Sequence, residues 1–206
     1  FNLSLGLTVF FLARVLGLLY FMKTIDHEVI IARTKKALLI NAIPFVVFFL
    51  TFVIWLMLRD GFAVDPDSGF VSMEAFKYFH NLVQMPIVML MFLMGVLLVL
   101  GGIARPLLRR YSNGIWFSGA GTILVVMSLF FLAGFNNTAF YPSSYDLQSS
   151  LTIQNSSSSE YTLVVMSYVS LFVPFVLAYI IYAWRAVSNK KIDEKEVTAK
   201  DDTHIY

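Results

Sequence analysis

The chain of 206 residues contains no cysteine. That removes disulfides, thiolate metal sites and cysteine nucleophiles from the possible chemistry. Charge is also scarce. Asp, Glu, Lys and Arg make up 14% of the residues, while 58% are hydrophobic and the mean hydropathy is +0.75. Soluble domains hold roughly 45–50% apolar residues and about 25% charged ones, so this is a membrane composition. Neither a short-period repeat nor a glycine-rich phosphate loop is present, and nucleic acid is not among the expected partners. The chain opens on Phe1 in an apolar run, without initiator Met or charged leader. That start reads as a fragment or processed product beginning just before or inside a helix.

Five apolar runs are long enough to cross a bilayer, since about 20 residues at 1.5 Å each cover roughly 30 Å of hydrocarbon. They are residues 3–22, broken only by Arg14, then 37–58, 82–104, 114–135 and 161–184. The expected fold is an all-α integral membrane protein, a five-span helical bundle over 1–187 followed by a charged cytoplasmic tail over 188–206. Lys and Arg set the orientation. Lys23, Arg33, Lys35 and Lys36 follow the first run, Arg105, Arg109 and Arg110 the third, and Arg185 with four lysines the fifth. The loops 59–81 and 136–160 hold only Arg59 and Lys77. The amino end is therefore expected outside and the carboxyl end in the cytoplasm.

Residues 71–80 carry Met73, Phe76 and Phe79 at three-residue spacing, which predicts a short interfacial helix with Ser72 as its N-cap. Pro44, Pro86 and Pro174 fall inside spans and predict kinks. Asn136-Asn137-Thr138 and Asn155-Ser156-Ser157 match the glycosylation pattern on the outer side.

All thirteen carboxylates lie outside the five spans, although proton relays and ion sites in membranes rest on ionisable groups at depth. The sole ionisable residue at depth is Arg14. It is read either as a partner for an anionic group on another subunit or on lipid, or as a cation snorkelling to the inner headgroups. His27, His80 and His204 lie in a loop, at the outer interface and in the tail, poor places for an axial haem ligand. Met85, Met89, Met91 and Met94 read as packing or lipid-facing residues rather than ligands. His80 near Asn81 and Gln84 suggests either a quinone contact or a solvated interfacial histidine. No catalytic, cofactor-binding or metal-ligating residue is assigned. The third and fourth runs are joined by a short turn and must form an antiparallel hairpin. Small residues let helices approach in lipid, so the expected seam is Gly95 and Gly102 against Ser118, Gly121 and Thr122, with Leu98 facing lipid.

A final set of features is more specific. Tyr-Pro-Ser-Ser at 141–144 and Ser-Leu-Thr-Ile-Gln-Asn-Ser-Ser-Ser at 150–158 lead directly into the apolar run 161–184. Gly17 to Tyr20 precedes a basic loop through Ala-Arg-Thr-Lys at 32–35, and the chain ends Asp-Thr-His-Ile-Tyr at 202–206. Together these resemble the carboxyl-terminal half of subunit II of the cytochrome bd quinol oxidases. The resemblance implies a multi-pass subunit of a bacterial inner-membrane respiratory terminal oxidase, a complex that oxidises quinol, reduces oxygen to water and builds a proton gradient. It implies haems b and d and the quinol-oxidising loop on subunit I, with this chain as the non-haem partner among lipid and quinone. Proton-path residues of the family's other half are not carried over. The alternatives are a structural or assembly subunit of another complex and part of a secondary transporter. The prolines fit the latter weakly and the absent buried acids oppose it.

Overall fold

In hydrocarbon a backbone must satisfy its own polar groups, and all five apolar runs are helical in the computed structural model, which describes residues 1–108 and 113–187. Arg109, Arg110 and the tail 188–206, His204 included, lie outside the described residues. Helices α1 (Asn2–Thr24) and α2 (Glu28–Leu58) form the first hairpin. A two-stranded sheet, β1 (Gly61–Val64) and β2 (Val71–Glu74), then leads into α3 (Lys77–Gln84). Helices α4 (Pro86–Leu108) and α5 (Gly114–Gly134) form the second hairpin, the most extensive helix pair of the chain. A short helix α6 (Ile153–Ser156) precedes the last span, made of α7 (Glu160–Ser170) and α8 (Val173–Val187).

Local chemistry explains where these boundaries differ from the apolar runs. Helix α2 reaches back to Glu28, so Arg33, Lys35 and Lys36 stand on a helix rather than in a loop. Nothing there breaks a helix: Ala, Arg and Lys are good formers, and Glu28 suits the positive amino end. The third span starts at Pro86 rather than at residue 82. Proline favours a first helical position and forces its predecessor out of the α region, and Met85 sits at φ −111°, ψ 78°. Pro86 thus begins a helix instead of kinking one. Pro44 lies within α2, and Pro106 within α4, which continues to Leu108. The last span breaks at Leu171 and Phe172, just before Pro174 in the first turn of α8. Proline there has no N–H to donate back across the break.

The expected interfacial helix over 71–80 is corrected. Residues 71–74 are β2, antiparallel to β1, with Ser72 opposite Ala63 rather than capping a helix. The helix starts at Lys77, after Phe76 in the left-handed region at φ 56°. Pairing with β1 on one edge and the Gln148 amide on the other provide backbone partners for residues 71–74 that an isolated turn of helix would not have. Met73, Phe76 and Phe79 are all exposed.

The two hairpins meet in one apolar core built on Val15, Leu19, Leu38, Phe45, Val99 and Ile103. Helices α7 and α8 stand apart from it: neither buries any of its residues.

Candidate functional site

Helices α4 and α5 approach each other backbone to backbone. A Cβ added at Gly121 would stand 2.6 Å from the Gly95 carbonyl oxygen and 2.7 Å from the Val99 nitrogen. One added at Gly95 would stand 2.9 Å from the Gly121 carbonyl oxygen. At Gly102 it would overlap Ser118 Oγ. Ser118, fully buried, donates its hydroxyl across the interface to the Val99 carbonyl at 3.2 Å. Thr122 is beside this line but turned away from it, donating to Ser118 O on its own helix at 2.7 Å. Such backbone proximity is what small residues supply in lipid, where hydrophobic exclusion does not drive helices together.

The seam runs further than the five residues singled out above. Gly114 faces the Gly102 carbonyl and Pro106, and the buried positions of α5 are 114, 118, 121, 125, 128 and 132. Those steps of four and three are the heptad spacing of left-handed helix pairs, and the same spacing on α4 would have found Pro106. Leu98 is not simply lipid-facing: its Cβ lies 2.9 Å from where a Cβ of residue 121 would be. On the α-helix, residue 98 shares part of the face of 95 and 102. Leu97, at 69% exposure, is the lipid-side residue.

The seam ends under a polar cap that joins both long loops. Asn81 of α3 is wholly buried and donates to Leu132 O at 2.9 Å and Thr138 Oγ1 at 2.8 Å. Its Oδ1 accepts from Asn136 Nδ2 at 3.0 Å, and Asn136 also donates to Gln84 Oε1 at 2.6 Å. Asn136 and Asn137, at φ 56° and 52°, turn the chain sharply after α5; asparagine tolerates this region better than most residues. The turn lays 137–139 against β1, with Val64 N donating to Asn137 O and Ala139 N to Phe62 O. Gln148 clamps β2 from the other side. It accepts from Val71 N and donates to Val71 O, both at 2.9 Å. Thr152 and Asn155 form a reciprocal capping box at α6. Both asparagine amides of the glycosylation patterns are therefore engaged in the fold, since Asn155 also donates to Ser150 O at 3.0 Å.

A cluster of charge stands in the cap around Glu74. Glu74 pairs with Lys77 at 3.1 Å and with His80 Nδ1 at 2.8 Å. Lys77 is buried by the close approach of Gly61, where an added Cβ would stand 2.6 Å from Lys77 Cβ. The hydrogen bond from His80, helped by Lys77, holds the Glu74 carboxyl below its ordinary value, although burial opposes the shift. Burial raises the Tyr78 phenol, against the pull of Arg59. His80, Asn81 and Gln84 do not converge on one pocket: Asn81 points inward and is saturated, and His80 turns to Glu74.

At the opposite end, Lys23 Nζ lies 4.2 Å from the Trp116 ring centroid and the Arg105 guanidinium 4.3 Å from that of Phe117. Arg14 is exposed on α1, 5.7 Å from the Phe10 ring centroid, with no carboxylate partner among the described residues. His27 stands in the turn between α1 and α2. Met85, Met89 and Met91 are half-buried and Met94 exposed. Among the described residues no three His, Asp or Glu side chains gather in a way that could hold a metal ion. The arrangement is one of close helix packing under a hydrogen-bonded polar cap, suited to holding shape.

A family model described as cytochrome bd terminal oxidase subunit II matches residues 1–187. No curated protein matches the chain.

Proposed function

The chain belongs to the cytochrome bd terminal oxidase subunit II family, and from that membership we propose that it serves as the non-haem subunit of a quinol:oxygen oxidoreductase in a bacterial inner membrane. The observation that carries this reading is the family match across all five membrane-length helices. In the proposed assembly, subunit I holds haems b and d and oxidises quinol. This chain supports and seals it, and takes no catalytic step by itself. The amino end faces outward and the carboxyl end the cytoplasm, as the cation distribution favours. The polar cap then faces out. Two features support a supporting role: Ser4, Thr8, Asn41, Ser118 and Ser128 are each hydrogen-bonded within the four-helix core, and the last span, α7–α8, buries none of its own residues and meets α1 through Trp184 and Tyr20. The break at Leu171–Phe172 lies between Ser170 and Val173, and the Ser170 hydroxyl donates back to Ser167 O within α7 at 2.7 Å.

The test is a haem spectrum of whatever co-purifies with the tagged chain from its native membrane. Haem b and d bands in stoichiometric amount are expected from the complex, and none from the chain expressed alone. A low-spin haem spectrum from the isolated chain, lost on changing His80, would overturn the non-haem assignment. Absence of any haem from the native complex would refute the oxidase reading.

A further inference from the structure

Where α1 stops, α5 begins and α8 nears its end, the helices leave a crevice of about 670 Å³. Its walls are apolar, with Ile115 from α5 and Ile180 and Ile181 from α8. Its rim carries Lys23 and Arg185, and no carboxylate is among the described residues that line it. Two indoles mark the same level. Trp116 lies under the Lys23 ammonium, and the Trp184 ring stands 6.3 Å from that of Tyr20, linking α8 to α1.

Indoles favour the headgroup layer, and long cations reach toward it from apolar walls. A slot that is apolar below and doubly cationic at headgroup depth matches one ligand chemistry, two acyl chains under a phosphodiester. Inorganic phosphate would leave the walls unfilled. A headgroup with its own ammonium would find two cations and, among the described lining residues, no carboxylate, so a net negative lipid fits better than a zwitterionic one. A helix from another chain would have to bring an acid to this depth.

We propose that this crevice binds an anionic phospholipid, with its phosphate between Lys23 and Arg185 and its acyl chains against Ile115, Ile180 and Ile181. The lipid fills the gap between α8 and the four-helix core, and so ties the last span to the rest of the chain.

The complex, purified through a tag on this chain and delipidated, is titrated with phosphatidylglycerol, phosphatidylcholine of the same acyl chains, and inorganic phosphate. Retention is read by native mass spectrometry. Phosphatidylglycerol should be retained in preference, and Lys23→Gln or Arg185→Gln should each lower retention roughly fivefold, the effect of one cation near an anionic headgroup. Lys23→Arg should keep it. Ile181→Trp, which fills the slot and spares both charges, should lower it. Equal retention of phosphatidylcholine, competition by inorganic phosphate, or unchanged retention in both Gln variants would overturn the proposal. A photoreactive benzoylphenylalanine at position 180 should gain the mass of a phospholipid, whereas an adduct with another polypeptide would assign the crevice to a partner helix.

Discussion

Leucine at position 121 tests the α4–α5 seam most directly. The first added atom, Cβ, would lie 2.6 Å from the Gly95 carbonyl oxygen, 2.7 Å from the Val99 nitrogen and 2.9 Å from Leu98 Cβ. Two of those three atoms belong to the backbone of α4 and cannot rotate away. A carbon meets a carbonyl oxygen comfortably at about 3.3–3.6 Å, so the helices must part by something on the order of 0.5–1 Å even before the leucine's outer carbons are placed. Separation on that scale breaks the Ser118 hydrogen bond to Val99 O, already at 3.2 Å. It also forfeits a quarter to a half of each dispersion contact along the seam, as a gap of roughly that width does.

Overpacking of this kind costs about 1–3 kcal/mol, and with four carbons driven against backbone the upper end applies. The control is Gly119→Leu. Residue 119 is on the same helix, makes the same change in propensity, and a Cβ there meets nothing within 4 Å. For a chain of this size about 3 kcal/mol corresponds to a Tm difference on the order of 6–12 °C between the two variants. The assay is thermal unfolding of the purified complex, with the yield of assembled complex as second readout. Equal Tm and yield for the two variants would show that the α4–α5 approach contributes nothing, and the seam would have to be withdrawn.

Asn81→Ala should lower the Tm of the complex, because it leaves Leu132 O and the amide of Asn136 short of a partner inside the cap, at roughly 1–3 kcal/mol per unsatisfied group; an unchanged Tm would mean water replaces the amide. The Glu74 carboxyl is held below its ordinary 4.5, so its ion pairs support the cap fully above that pH and are lost as pH falls through the lowered folded value. Hydrogen exchange over 71–84 should therefore quicken relative to the rest of the chain below about pH 4.5, the ordinary value, and Glu74→Gln should remove that pH dependence. The orientation predicts that Ser157→Cys reacts with a membrane-impermeant thiol reagent in intact cells and Ser188→Cys does not. Labelling of position 188 alone would invert the topology.

How far the sequence could be read depended on the range of the interactions. Each span was legible because an apolar run needs no knowledge of any other part of the chain. The seam was half legible for the same reason. Gly95, Gly102, Ser118 and Gly121 stand within one hairpin, and their heptad steps are local to each helix; following those steps would have added Gly114 and Pro106. The cap obeys no period. Val71 meets Gln148 across 77 residues, and Asn81 meets Leu132 and Thr138 across 51 and 57. What the sequence did display there was residue type, a charge-poor loop rich in amides and hydroxyls. An amide side chain donates and accepts at once, so it can replace a neighbouring strand for one residue, as Gln148 does for the N–H and C=O of Val71. The same property explains why residues 71–74 deceived a helical reading. Their apolar spacing fits an interfacial helix, but β1 on one side and Gln148 on the other offer the backbone of 71–74 long-range partners. A three-residue apolar repeat is therefore weak evidence for a helix wherever a polar, amide-rich loop can reach the same edge.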